Sequence, residues 1–420
     1  MNINTLEADL LQAARSEDLR DEQIGELTVL GTLEKRIVDT LKLSGTHLIE
    51  GARGVGKSML LKEAEIQMDV SFSETRQMAV YVSFKTSTLL EGVRAGKKDA
   101  FQAWVGAKIL EGLHDKLLSL DLIQRQGVSD PYARIFGISS VGETKTILQD
   151  KIHLLQKLAT TTEPSKVLQE IGEEFLEKLY DTNFLLNIIK EILQEFKISR
   201  LVFLFDEAAH TFIPEQQEMF FEIVKLLHGG NIAVKAAVYP SVTSYGRNFE
   251  IGQDAIKLSL DRFEPGEAGR VANRTLFREM LVKRLPNTSN LNKKIFSKGS
   301  LLDQCIDLSS GNPRGFFHLL NRTIDKGYTD RALLLATQDY VDQELLPYHL
   351  NLTKRLPKYS AHVKLGLELL KGYIIPEIKK KNGRDKKVKY QSAFFTVPRD
   401  ITGNIKLSLA LLTYSGILTS

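Results

Sequence analysis

Eight residues from Gly51 to Ser58, "GARGVGKS", carry the spacing G-x-x-x-x-G-K-S. Glycines so placed let backbone N–H groups close around phosphate oxygens, while a lysine at position 57 reaches the β and γ oxygens and the Ser58 hydroxyl can coordinate magnesium. The stretch Gly51, Ala52, Arg53, Gly54, Val55, Gly56, Lys57, Ser58 and Met59 is therefore the candidate phosphate cradle. A cradle of this kind needs a carboxylate on a neighbouring strand to hold the metal through its water shell. "LVFLFDE" supplies one: five apolar residues bury a strand, and Asp206 emerges at its C-terminal end, where ligands bind in open α/β sheets. Glu207 follows directly. An adjacent carboxylate can polarise an attacking water, so the pair points to hydrolysis rather than to phosphoryl transfer to a small acceptor. The competing reading is a solvated acidic strand end.

The surrounding elements have to position these groups. "TLEKRIVDTLKLSG" has amphipathic helical spacing, the short apolar run "THLIE" reads as a strand, and "SMLLKEAEIQM" beyond the loop is helical again. Strand, loop, helix is the context a phosphate loop requires. "MAVYVSFK", residues 78–85, is near-continuously apolar, as in a buried parallel strand. "RLVFLFDE" and "IAVKAAVYP" are two further strands, with the helix "EQQEMFFEIVKLLHGG" between them ending at Gly229 and Gly230; together they predict a βαβ unit. Residues 86–190 form a mostly helical insertion, interrupted by the loop "GVSDPYARIFGISSVGET". Before all of this, Leu6, Leu10, Leu11 and Ala14 predict an N-terminal helical segment within residues 1–30. After residue 264 the pattern is helical for about eighty residues.

Composition narrows the function classes. A chain of 420 residues suggests two or three domains, and 43% hydrophobic with 26% charged residues is an ordinary globular balance. The single cysteine, Cys305, excludes an intramolecular disulfide framework and fits a reducing, cytoplasmic setting. The first residues lack an apolar signal-peptide core, and no run reaches the length of a membrane span. Eight histidines are scattered without metal-ligand spacing, and His210 stands beside the acidic pair in sequence only. No G-x-S-x-G, H-E-x-x-H or C-x-x-C occurs. Nucleotide chemistry is what remains.

"GARGVGKS", "LVFLFDE" and, far downstream, "GNPR" at Gly311 to Arg314 together resemble an AAA+ ATPase of the origin-recognition or initiator-like clade and its bacterial relatives, with Walker A and Walker B elements at Gly51–Ser58 and at Asp206–Glu207. The resemblance covers roughly residues 25 to 340. It implies ATP and Mg2+ as cofactors, with Ser58 and Asp206 on the metal. It also implies a fold: an α/β P-loop core with a parallel sheet over 31–260, an all-helical lid over 261–340, and a partial winged-helix-like segment over 341–420. Arg314 matches the lid arginine that touches the γ-phosphate and turns nucleotide state into lid angle. Ser241 and Thr243 stand where the clade carries a polar sensor residue, although turn capping explains either equally well. Arg247, or in competition Arg262, stands where a neighbouring subunit's arginine finger is expected. Ile24 and Leu30 are candidate contacts for the adenine, although core packing explains either equally well.

The C-terminal segment reads as helix, basic loop, short strand "YQSAFFTV" and a helix from about Asn404, with no wing visible before Ser420. Its lysine run, Lys379 to Lys389, can grip phosphates or be a solvated loop. Net charge is +4, which permits nucleic-acid binding without requiring it. Two readings follow. One is an ATP-driven switch that self-associates and acts on double-stranded DNA with partner proteins. The other is a signalling or antiviral-defence ATPase that activates a partner effector, with the 86–190 insertion as a docking surface. A plain P-loop kinase has no use for Arg314 or a lid there.

Overall fold

The computed structural model describes residues 19–85, 90, 93–95, 98–123, 132, 141–207, 213–240, 242–262, 266–285, 288–384, 393, 395–398 and 400–418. The expected helix around Leu6 to Ala14, His210, Ser241 and Lys386, Lys387 and Lys389 of the basic run lie outside the described residues.

Five strands form one sheet: β1 (His47–Glu50), β2 (Gln77–Ser83), β3 (Arg200–Asp206), β4 (Ile232–Val238) and β5 (Ile256–Ser259). Their spatial order is β2-β3-β4-β1-β5, and every neighbouring pair is parallel. β3 and β4 are buried almost throughout, which is why their sequences read as unbroken apolar runs. One expectation is corrected here. Asp206 does not stand on a strand neighbouring β1, because β4 lies between them. The short β3–helix–β4 connection lays β4 directly beside β3, as consecutive elements usually pack, and β1 then pairs with the far edge of β4. β5 was not anticipated. It is a four-residue edge strand that pairs only with β1 and leaves Ile256 58% exposed, so it carries none of the apolar continuity that marks the other strands.

Helix α1 (Asp21–Leu27), helix α2 (Thr32–Leu41) and the loop-borne helix α3 (Lys57–Val70) precede β2. α2 and α3 pack through Ile37, Leu41, Leu60 and Leu61 on one face of the sheet. The other face is covered by the insertion: α4 (Ala100–Ser119), α5 (Val141–Lys157), α6 (Pro164–Ile171), α7 (Glu173–Tyr180) and α8 (Thr182–Glu195), joined by α9 (Pro214–Leu227) after β3. Trp104 of α4 is fully buried and meets Phe84 edge-on at 5.8 Å, and Phe84 in turn meets Phe205 and Phe220. The described helices of the insertion therefore form a wall of the core, because their apolar stripes have the sheet to cover. An ion triad, buried Lys116 of α4 with buried Glu65 and half-buried Asp69 of α3 at 2.7 Å each, clamps that wall to the helix that carries the cradle.

Beyond β5 the chain is helical, as anticipated: α10 (Glu267–Arg284), α11 (Asn290–Ser297), α12 (Gly299–Leu308), α13 (Pro313–Asp325) and α14 (Asp330–Tyr340). These helices close around their own core of Phe277, Leu302, Phe316 and Tyr328. Side chains of Ser289, Asn312 and Thr329 cap three of them, as their short polar side chains favour. No loop separates this lid from the C-terminal module. Helical backbone runs on through a π-helical stretch at Val341–Leu345 into α15 (Leu346–Arg355), with Pro347 in the first turn after it. The missing N–H of that proline removes one backbone donor at the junction. Then follow α16 (Ser360–Leu369), a second π-helical stretch at Leu370–Ile374, α17 (Ile375–Arg384) and α18 (Gly403–Tyr414). The last agrees with the helix expected from Asn404. The strand expected at "YQSAFFTV" is not formed by its described residues, Ala393 and 395–397; neither edge strand of the sheet, β2 or β5, pairs with them.

Candidate nucleotide site

β1 ends at Glu50, and the chain turns through the glycine-rich loop into α3. Gly54 and Gly56 have φ of +86° and +98°, a left-handed backbone that glycine adopts without steric cost. Gly56 is the residue that caps α3, so the unpaired N–H groups and positive dipole end of a 14-residue helix face the same space as the loop. Lys57 opens the helix and is 6% exposed. Its Nζ donates to the carbonyls of Gly51 at 2.5 Å and Ala52 at 3.0 Å, and lies 4.0 Å from the centroid of the Tyr239 ring. Burial pushes the Lys57 pKa down to about 7; Asp206 partly offsets this and Arg314 adds to it.

Across the cavity, Asp206 is 3% exposed at the end of β3. Its Oδ2 accepts from the Tyr81 hydroxyl at 2.7 Å and its Oδ1 from the Glu207 backbone N–H at 2.9 Å. Glu207 has φ of +56°, a conformation costing a non-glycine residue about 1–3 kcal/mol and found mostly where function demands it. The turn brings its side chain to the same cavity as Lys57 and Asp206.

The lid completes the enclosure. Asn312, the cap of α13, accepts from the Gly315 N–H at 3.2 Å and donates its Nδ2 to the Arg53 carbonyl at 2.9 Å. Arg314, in the first turn of α13, makes a backbone bond to the Gly54 carbonyl at 3.4 Å and points its side chain into the cavity lining. A Cβ at Gly54 would stand 2.8 Å from Asn312 Oδ1 and 3.0 Å from Arg314 Cβ. Gly54→Ala is thus expected to cost about 1–2 kcal/mol from the left-handed backbone alone, with a further loss as the lid is pushed off the loop. A denaturant titration checks this; unchanged stability would contradict the contact.

The cavity holds about 360 Å³, within the range of small-molecule sites. Seven basic and three acidic side chains line it, an excess suited to a polyphosphate. Its apolar end is built by Leu27, Val29, Met280 and Phe317, with the Arg284 guanidinium 4.1 Å over the Phe317 ring. The Thr28 backbone there is held by its own hydroxyl, donating to the Ile24 carbonyl, and by Lys283, donating to the Thr28 carbonyl. A flat base suits that end.

Of the residues singled out by sequence, Arg53, Gly54, Gly56, Lys57, Ser58, Met59, Asp206, Glu207 and Arg314 line this one cavity. Gly51 and Ala52 offer the carbonyls that Lys57 reaches, and Val55 packs into the core beneath. Ile24 is fully buried and Leu30 packs against the α2–α3 core; neither lines the cavity, whereas Leu27 and Val29 do. Thr243 caps a turn: its hydroxyl donates to the Tyr239 carbonyl and accepts from the Tyr239 N–H. Arg247 is exposed, outside the cavity, with its backbone N–H on Glu218. Arg262 is not available to a neighbouring subunit. It is 8% exposed, paired with Glu34 at 2.6 Å, and bonded to the Val55 carbonyl. Tyr81, Tyr239, Arg284 and Arg355 were missed. A tyrosine within a strand, as Tyr81, or just after one, as Tyr239, carries no mark of a site, and Arg284 and Arg355 arrive from helices far along the chain.

A parallel sheet, a glycine-rich loop opening a helix, an acidic strand end and a helical lid define the class: a P-loop-type α/β fold with an all-helical cover. Among solved structures, the chain is similar to the Aeropyrum pernix ORC1 protein, determined in complex with DNA, at 13% identity and a TM-score of 0.41, over 98% of this chain and 87% of that one. It is similar also to the Aeropyrum pernix ORC2 protein, determined as ADPNP and ADP complexes, at 12% identity and a TM-score of 0.38, over 96% and 86%. No family model matches the sequence and no curated protein does. Among the described residues, no helix is long and apolar enough to cross a membrane.

Proposed function

We propose that this protein is an ATPase of the AAA+ initiator-like type, a switch that binds and hydrolyses ATP and changes lid angle and self-association with nucleotide state, acting on double-stranded DNA with partner proteins. One observation carries the reading: the loop lysine Lys57, the acidic pair Asp206–Glu207 and the lid arginine Arg314, which are 257 positions apart at the extremes, converge on one cavity. In this reading Lys57 and the loop amides hold the triphosphate, Glu207 orients the attacking water and accepts its proton, and Arg314 offsets charge developing on the γ-phosphate. Arg247 of a neighbouring subunit reaches the same charge from outside. Ser58 and Asp206 would hold magnesium. One hydroxyl and one carboxylate suit an ion that keeps most of its water and phosphate ligands, and that ion supplies further neutralisation of the phosphates. The exposed Lys379, Lys380 and Lys381 at the end of α17 supply phosphate contacts for DNA.

The ATPase rate, followed against protein concentration with and without double-stranded DNA, tests this. The rate per subunit is expected to climb with concentration and again with DNA, and Arg247→Ala is expected to remove the first rise. Indifference to DNA, with the concentration dependence kept, favours the signalling or defence ATPase instead. Lys57 adds a pH signature. With its pKa near 7 before a triphosphate arrives and raised by the phosphates afterwards, binding takes up a proton above pH 7, and affinity falls as pH rises through 7 to 9. Calorimetric titrations in buffers of different ionisation enthalpy read that proton directly; none taken up at pH 8 would contradict it. Lys57→Ala is expected to bind roughly 100-fold more weakly, as losing a charge-assisted phosphate contact implies.

A further inference from the structure

The C-terminal module reaches the nucleotide cavity itself. Tyr348, Leu352 and Arg355 of α15 recur at helical spacing and so share a face, and that face rests on the nucleotide-binding core. Tyr348 lies under the Arg53 guanidinium of the glycine-rich loop, 4.6 Å from ring centroid to Cζ. Leu352 is 1% exposed in the core beneath the sheet. Arg355, at the end of the helix, lines the cavity together with Lys57, Glu207 and Arg314. The contact is extended by Tyr414 of α18, whose hydroxyl is 3.3 Å from that of Tyr348 and whose ring meets Tyr239 edge-on at 5.0 Å. Tyr239 is the ring over which Lys57 sits. Two cations of the cradle, Arg53 and Lys57, therefore each rest on an aromatic ring that belongs to, or touches, the C-terminal module.

Arg355 differs from the other cations of the cavity. Its side chain is exposed, and no hydrogen bond or ion pair to it is formed among the described residues. A cation held at the cavity by an anchored helix, with no anion among the described residues paired with it, is placed for an anion brought by the ligand. We propose that Arg355 is a triphosphate-binding residue, supplied in cis by the C-terminal module, which distinguishes ATP from ADP and seats that module when the γ-phosphate is present. Helical backbone continues from the lid through Val341–Leu345 into α15, so Arg314 and Arg355 approach the site on two parts of one connected helical body. The γ-phosphate draws both toward the loop.

The inference rests on reading the cavity as an ATP site, and the experiment separates the two. Fluorescent ATP and ADP analogues are titrated into the full-length parent, Arg355→Ala, Arg355→Lys and Lys57→Ala, with thermal melting of each. The parent is expected to bind the ATP analogue more tightly than the ADP analogue. Arg355→Ala is expected to lose roughly tenfold in affinity for the ATP analogue, with ADP affinity unchanged within about twofold, and Arg355→Lys to recover part of the loss. If the parent binds both analogues and Arg355→Ala keeps the parent's ATP-to-ADP ratio, Arg355 is a solvated surface charge and the inference falls while the site stands. If the parent binds neither, the site reading falls and the inference with it. Should Arg355→Ala melt early, Arg355→Lys decides: an ATP-to-ADP preference below the parent's, with ADP affinity kept, supports the inference, and the parent's ratio, or loss of both nucleotides together, overturns it.

Discussion

Glu207→Gln is expected to bind ATP as the parent does and to hydrolyse it roughly 100- to 10,000-fold more slowly, the range over which a positioned general base contributes. The substitution is nearly isosteric. It removes the proton acceptor while leaving the Asp206 contacts with Tyr81 and the Glu207 N–H in place. It also keeps the backbone question constant, since glutamine meets the same left-handed penalty at φ +56° as glutamate. Phosphate release, measured beside equilibrium nucleotide binding, checks the prediction. A rate within twofold of the parent would remove Glu207 from the mechanism. A loss of binding would make it a positioning residue of the cradle.

Arg262→Ala is expected to cost about 3–5 kcal/mol of stability, the usual result of breaking a buried ion pair from one side. Arg262 and Glu34 side chains are 4% and 3% exposed. Nε donates to Glu34 at 2.6 Å and a second nitrogen to the Val55 carbonyl at 2.5 Å, while the Arg262 carbonyl accepts from Asn273 of the lid at 2.6 Å. One residue so joins α2, the phosphate loop and the lid. Burial acts against its charge, lowering its pKa despite the carboxylate beside it. Removing the guanidinium strands the Glu34 carboxylate and frees the loop carbonyl, so nucleotide affinity should fall with stability. Arg262→Met combined with Glu34→Leu should recover much of the loss, because two apolar side chains leave no stranded charge. Denaturant titrations of the single and double variants check both; a single-variant cost under about 1 kcal/mol would contradict the joint described.

The chemistry at the loop and at β3 was legible locally. Gly51 to Ser58 and Asp206–Glu207 announce themselves because a phosphate cradle and a buried strand end each need particular residue types at consecutive positions. The β3–α9–β4 unit and the lid helices were legible for a related reason: apolar periodicity over many residues reports burial directly. Arg314 came into view only through the order of three separated motifs. The strand order was not legible, since nothing in "LVFLFDE" says whether β1 or β4 lies beside it. Nor was β5, whose four residues, three of them exposed, form a strand only because β1 offers an open edge.

The sequence by itself therefore determined which groups are present, on what kind of element each is carried, and that a phosphate-binding loop and an acidic strand end belong together. Tertiary structure alone decided that Arg262 is a buried joint and not a surface finger, that the described helices of the 86–190 insertion form a core wall, and that Tyr239, Tyr348 and Arg355 stand at the cradle. The physical reason is one of range. Backbone turns and helical periodicity are set by residues a few positions apart, whereas the pairing of Arg262 with Glu34, 228 positions away, depends on packing that no local pattern encodes.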